Sequence, residues 1–121
     1  MLTVERLLII EEEFLIALDI QEMLEGSLAR QSTLARTYEE ARSLADRFGT
    51  FDLAIVTPPR SPPDMAVADR LVAAGVAIVV STASRIDLSG TSLRAASVVY
   101  KPFLADELLA ACQLALADRA P

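Results

Sequence analysis

The 121-residue sequence contains no histidine and a single cysteine, Cys112. Without an imidazole the chain lacks the usual general base, the Ser-His and Cys-His nucleophile pairs and most zinc ligand sets. It cannot act as a phosphohistidine donor either. One cysteine excludes an internal disulfide and fits a reducing compartment. We therefore predict a protein that is not an enzyme, with Cys112 on a helix face.

Two further features are missing, an excess of basic charge and a long apolar run. The sequence has 11 Lys and Arg residues and 17 Asp and Glu residues, for a formal net charge of -6. Proteins that bind a phosphate backbone carry a basic stripe instead. No apolar run approaches the ~18 residues of a membrane span, and the first residues lack the pattern of a signal peptide. These features predict a cytoplasmic protein that contacts neither nucleic acid nor membrane.

The chain does contain enough apolar sequence for one core. Hydrophobic residues make up 53% and charged residues 23% of the sequence, which is typical of a globular protein. The length is close to the commonest domain size. We predict one domain over residues 1–121.

Short apolar runs alternate with amphipathic segments along the whole chain. The apolar runs predict strands at 7–10, 32–37, 52–57, 76–80 and 97–100, and the amphipathic segments predict helices at 14–25, 38–48, 65–74 and 103–116. Between the fourth and fifth strands the pattern fades, so a fourth helix within 81–95 should be short or irregular. Such alternation predicts an α/β protein with a doubly wound, five-stranded parallel sheet.

A proline-rich segment, 58–63, follows the third strand. Proline lacks the amide donor and restricts the residue before it, so we predict a stiff loop here rather than helix or central strand. Asp64 is the expected N-cap of the helix that follows.

Three acids, Glu11, Glu12 and Glu13, come directly after the first apolar run. Ligands of an open parallel sheet bind outside the carboxyl ends of its strands, where a group of carboxylates attracts a hard cation. The same acids would also suit the first turn of a helix, because they complement the helix dipole. Both interpretations are open at this point.

Four short motifs occur in a characteristic order: Ile9-Ile10-Glu11-Glu12-Glu13, Asp52-Leu53-Ala54-Ile55-Val56, Val79-Val80-Ser81-Thr82-Ala83 and Tyr100-Lys101-Pro102-Phe103. In this order and spacing the sequence resembles, over essentially its whole length, the receiver domain of bacterial response regulators. The resemblance implies a flavodoxin-like (βα)5 fold with strand order 2-1-3-4-5 and a role in two-component phosphorelay signalling.

The resemblance also implies roles for individual positions. Two acids and a backbone carbonyl would hold Mg²⁺, a hydroxyl and a lysine would contact phosphate, an aromatic switch would lie three residues before the lysine, and the lysine would precede a cis-proline. The two acids would be Glu11 and Glu12, and the carbonyl that of Pro59. The hydroxyl would be Thr82, the lysine Lys101, the switch position Val98 and the cis-proline Pro102.

The phosphoacceptor position of the family falls on Thr57. An acyl phosphate forms by attack of a charged carboxylate oxygen, whereas a threonine hydroxyl is a poor nucleophile without an adjacent base. Loss of the aspartate also removes one anionic ligand, so we expect weak Mg²⁺ binding. Structural roles are open too: the Thr57 hydroxyl could bond the following turn and Thr82 could cap the next one. Lys101 is expected to pair with Glu11 or Glu12.

We predict a degenerate receiver-like domain that acts by protein contacts, with a histidine kinase, phosphotransferase or output protein as partner, or as a homodimer. In the family the output face would span about 85–117, and with the fourth helix weakened we expect binding to rely on the first and last helices. One alternative is a receiver that uses a non-standard acceptor, or one in which an engineered Thr57 has replaced Asp. Another is a flavodoxin-like cofactor-binding protein, but Glu11–Glu13 replace the phosphate-binding loop that it would need.

Overall fold

A computed structural model describes residues 3–119 and contains one five-stranded parallel sheet. The strands lie in the order β2-β1-β3-β4-β5, which confirms the predicted order 2-1-3-4-5. They span Val4–Ile10 (β1), Ala29–Ala35 (β2), Leu53–Val56 (β3), Ala77–Thr82 (β4) and Ser97–Tyr100 (β5).

Helices cover both faces of this sheet. They span Phe14–Leu24 (α1), Tyr38–Arg42 (α2), Pro62–Ala73 (α3) and Ala105–Ala117 (α4), with 3₁₀ turns at Ala45–Thr50 and Ser92–Ala95. Helices α1 and α4 pack on one face, and α2 and α3 pack on the other. The short turn Ser92–Ala95 stands where the fourth helix was predicted to be short or irregular. None of the helices among residues 3–119 is long and apolar enough to cross a membrane.

The four consecutive apolar residues at the end of β1 are buried because both faces of the sheet are covered. Leu7 and Ile9 face α1 and α4, whereas Leu8 and Ile10 face the opposite layer. Side chains alternate along a strand, so a strand covered on both sides requires an unbroken apolar run. The same holds for β3, whose four residues are all buried.

Strand register determines which residues meet beyond the strand ends. Ile10 is level with Val56 in β3, and Val56 is level with Val80 in β4. The amide of Thr57 donates to the carbonyl of Ile10 at 3.1 Å, so the ladder continues one residue beyond β3. Glu11, Thr57 and Ser81 therefore form a row across three adjacent strands, and residues in one row point to the same face.

Several predicted boundaries were wrong, among them the start of the first strand, which is Val4 rather than 7, and three further corrections have a clear local cause. The second strand begins at Ala29 rather than at 32, because an edge strand with exposed polar residues shows no apolar run. The second helix ends at Arg42 rather than at 48. There Ser43 binds the Glu40 carbonyl through both its amide and its hydroxyl, which tightens the backbone into a 3₁₀ path.

The third correction concerns the proline segment. Pro62 and Pro63 are the first residues of α3, and Ser61, not Asp64, is the N-cap: the Ser61 hydroxyl accepts from the Asp64 amide at 3.2 Å. Proline is tolerated here because the first-turn amides of a helix have no partner within the helix. Only 58–61 of the predicted loop is non-helical.

Candidate functional site

An ion pair joins the two most distant strand ends of the site. The Nζ atom of Lys101, just after β5, lies 2.6 Å from Oε1 of Glu11, just after β1. The Glu11 side chain is 2% exposed and that of Lys101 17% exposed. The Lys101 amide donates to the carbonyl of Thr82 at 2.8 Å, and the Lys101–Pro102 peptide is cis. The lysine thus pairs with the first of its two predicted partners.

The second oxygen of Glu11 is also occupied. Its Oε2 atom accepts a hydrogen bond from the amide of Glu13 at 3.1 Å. A buried carboxylate is costly unless it is paired and hydrogen-bonded, and Glu11 meets both conditions. The acid is therefore fully engaged inside the protein.

Glu12 pairs with a different cation. Its Oε1 atom lies 3.6 Å from Nη1 of Arg60, and the two side chains are 58% and 75% exposed. Exposed pairs of this kind contribute ~0–1 kcal/mol. The two acids that were predicted to share a metal ion thus pair with different cations, Glu11 with Lys101 and Glu12 with Arg60.

Thr57 lies between Glu11 and Ser81, at the carboxyl end of β3. Its carbonyl accepts a hydrogen bond from the Tyr38 hydroxyl. Within residues 3–119 its own hydroxyl makes no hydrogen bond, so the bond to the following turn considered above is not formed. Thr57 offers a free hydroxyl where the receiver pattern has a carboxylate.

Tyr38 is a site residue that the sequence analysis missed. It is 4% exposed, and burial, together with the nearby Asp64 carboxylate, raises the pKa of its phenol well above the ordinary value of 10.0. The phenol therefore stays protonated and remains a donor to the Thr57 carbonyl. The sequence position of Tyr38, at the start of a helix, does not predict this contact, because the contact depends on how α2 packs against the end of β3.

Ser81 was missed as well. It is 1% exposed, and its Oγ atom is the one buried side-chain oxygen or nitrogen within residues 3–119 that has no hydrogen-bond partner. An unsatisfied buried hydroxyl costs ~1–3 kcal/mol. Its place in the row with Glu11 and Thr57 follows from strand register, which the sequence does not reveal.

The remaining predicted positions lie near this row without joining it. The Thr82 hydroxyl accepts from the Ser84 amide at 3.2 Å and donates to the Ser84 carbonyl at 2.9 Å, which is the turn-capping role. Val98 packs half-buried against the α2–α3 layer. Tyr100, beside Lys101, is 50% exposed. Pro59 is half-buried in the loop that also carries Arg60. Within the described part of the chain, no group of three or more acids, histidines or cysteines is placed to hold a metal ion.

The solved structures most informative for this geometry are those of response regulators. A receiver protein from Sinorhizobium medicae superposes with a TM-score of 0.76 at 22% identity, over 98% of this chain and 98% of that one. The BeF3-activated conformation of SdrG from Pseudomonas melonis gives a TM-score of 0.72 at 26% identity, over 96% and 99% of the two chains.

A third similar structure is the response regulator PhyR from Brucella abortus, with a TM-score of 0.71 at 23% identity. The match covers 96% of this chain but 49% of PhyR, so the chain spans about half the length of that protein. No protein-family model and no curated protein matches the sequence. The chain has the α/β fold of CheY-like response-regulator receiver domains, as predicted.

Proposed function

We propose that this chain is a receiver-like domain of two-component signalling that is not phosphorylated at the usual position and acts by binding other proteins. The observation that carries the proposal is the residue row at the strand ends, where Thr57 stands between Glu11 and Ser81. A threonine hydroxyl needs an adjacent base to become a nucleophile. Glu11 is the neighbouring carboxylate, and Lys101 and the Glu13 amide already occupy both of its oxygens.

A partner-binding surface lies next to this row. Phe14, Leu15 and Leu104 are 58%, 76% and 69% exposed, and we call them the helix-start patch. Phe14 follows Glu11 by three residues and Leu104 follows Lys101 by three. Because the Glu11–Lys101 pair joins the ends of β1 and β5, we expect these exposed side chains to lie at the same edge of the sheet. Clustered exposed apolar residues mark interaction sites more often than scattered ones do.

Charge around the helix-start patch indicates the chemistry of its partner. Glu13 is the N-cap residue of α1, just before Phe14, and Asp106 and Glu107 follow Leu104 in the first turn of α4; all three acids are exposed. A protein that docks here would present an apolar centre with a basic rim, because complementary charge steers association and fixes register. A histidine kinase, a phosphotransferase or an output protein could carry such a surface.

The patch can be tested by capture of partners from a cell extract on the immobilised chain, with Leu15→Glu and Leu104→Glu as variants. Leu114→Glu is the matched control: Leu114 is 62% exposed, on the same helix, and ten positions from Leu104, about 15 Å along the axis. We expect at least one protein to bind equally to the unmodified chain and to Leu114→Glu. The same protein should no longer bind to either of the two patch variants.

The same assay tests whether phosphorylation matters. Binding should be equal with and without a small acyl-phosphate donor, because Thr57 offers no acceptor carboxylate. A partner that binds only after donor treatment, or one that all three variants retain, would contradict the proposal.

A further inference from the structure

We infer that this chain supplies its own cations where a receiver of the resembled family would bind Mg²⁺, with Lys101 at Glu11 and Arg60 at Glu12. The conformation of the site is then independent of divalent metal ions. The inference deepens the proposed function because it concerns the same strand ends, and it rests on that proposal for the assignment of the site.

Glu11 does not fit as a metal ligand. Mg²⁺ takes oxygen ligands at ~2.0–2.1 Å in near-octahedral geometry and favours anionic ones. The buried carboxylate of Glu11 already has an ammonium group 2.6 Å from one oxygen and an amide 3.1 Å from the other. A dication at Glu11 would place a second positive charge beside this nearly buried ammonium group, which is strongly unfavourable.

Arg60 is held where it can neutralise Glu12. The Arg60 amide donates to Oδ2 of Asp64 at 3.2 Å, and the next residue, Ser61, caps α3. Pro58 and Pro59 precede it, and fixed proline φ angles restrict the path of the loop. The segment whose Pro59 carbonyl was expected to bind a metal thus presents a guanidinium group to the acid instead.

The third ligand position carries no charge. Thr57 contributes a neutral hydroxyl, and the two acids of the expected ligand set, Glu11 and Glu12, are each paired with a cation. Weak Mg²⁺ binding was expected from the missing aspartate alone. The two internal ion pairs add a separate reason, because they neutralise the acids that remain.

The first test compares thermal unfolding in MgCl2 with unfolding in NaCl of equal ionic strength, and records amide NMR line broadening by Mn²⁺. We expect the same unfolding temperature in both salts and no broadening confined to 11–13 and 57–60. A saturable shift specific to Mg²⁺, or Mn²⁺ broadening centred on those residues, would overturn the inference.

The second test asks whether Arg60 occupies the cation position. Thr57→Asp restores an anionic ligand, and this change is combined with either Arg60→Ala or Arg30→Ala. Arg30 is a matched control, because it forms another exposed pair, 3.7 Å from Glu5, with side chains 78% and 74% exposed, near the amino end of β1.

We expect Mn²⁺ to bind Thr57→Asp/Arg60→Ala about threefold to fivefold more tightly than Thr57→Asp/Arg30→Ala, the change that an exposed ion pair can produce. Equal affinities would overturn the role of Arg60. The two metal-binding tests give no information on partner binding. Conversely, capture of a partner only after donor treatment would refute the proposed function but would not affect the inference about metal binding.

Discussion

At the residue scale, Glu11 is a buried acid whose charge is balanced by the chain's single lysine. Breaking a buried ion pair costs more than removing both partners, because the charge that remains has neither water nor counter-ion. A structural ion pair is therefore recognised by a loss of stability that is larger when one partner is removed than when both are removed. An incidental contact between two side chains does not show this difference.

We therefore predict that Lys101→Met lowers the free energy of unfolding by about 3 kcal/mol, and that Glu11→Gln in the same chain restores most of the loss. Urea denaturation of the two single variants and the double variant gives the coupling energy. Equal stability of Lys101→Met and the unmodified chain would show that the pair contributes nothing.

Part of this site could be predicted from the sequence because its residues lie directly after apolar strands. Together with the resemblance to receiver domains, this led us to expect that Lys101 pairs with Glu11 or Glu12, and the structure joins it to Glu11. Ser81 and Tyr38 could not be found in this way. The position of Ser81 depends on the register of β4 against β3, and the contact of Tyr38 depends on how a short helix packs. Long-range contacts set both.

At the scale of elements, apolar runs predicted the buried strands and the edge strand β5 well, but the more polar edge strand β2 poorly. Strands β3 and β4 and the second half of β1 are covered on both faces, so they contain continuous apolar runs. Strand β2 lies at one edge and exposes Arg30 and Gln31, so its sequence shows only a weak apolar pattern. The start of α3 was misplaced because the prolines were taken as helix breakers, although they occupy the one turn that tolerates them.

Helix α3 gives a prediction at this scale, since its cap holds the loop that carries Arg60. Ser61→Ala should lower the free energy of unfolding by about 1 kcal/mol, because the Asp64 amide loses its acceptor. Ser61→Asp keeps a capping oxygen and should remain close to the unmodified chain. Chemical denaturation of both variants provides the check, and an equal loss in Ser61→Asp would point to a different role for the hydroxyl.

At the scale of the whole molecule, the doubly wound sheet brings the ends of β1, β3, β4 and β5 to one edge, whatever chemistry those ends carry. Alternating strands and helices, together with the family resemblance, were enough to predict this arrangement and its strand order. They could not reveal that Arg60 reaches Glu12, because the path of a loop depends on its local hydrogen bonds. The receiver fold is thus combined with two strand-end acids that form ion pairs within the chain.

We propose that this receiver-like site takes up no phosphoryl group. Intact-protein mass spectrometry after incubation with a small acyl-phosphate donor and Mg²⁺, beside a receiver that retains its aspartate, provides the decisive test. We expect a phosphoryl adduct on the control and none on this chain. An adduct on this chain, mapped to Thr57 or to a neighbouring glutamate, would contradict it.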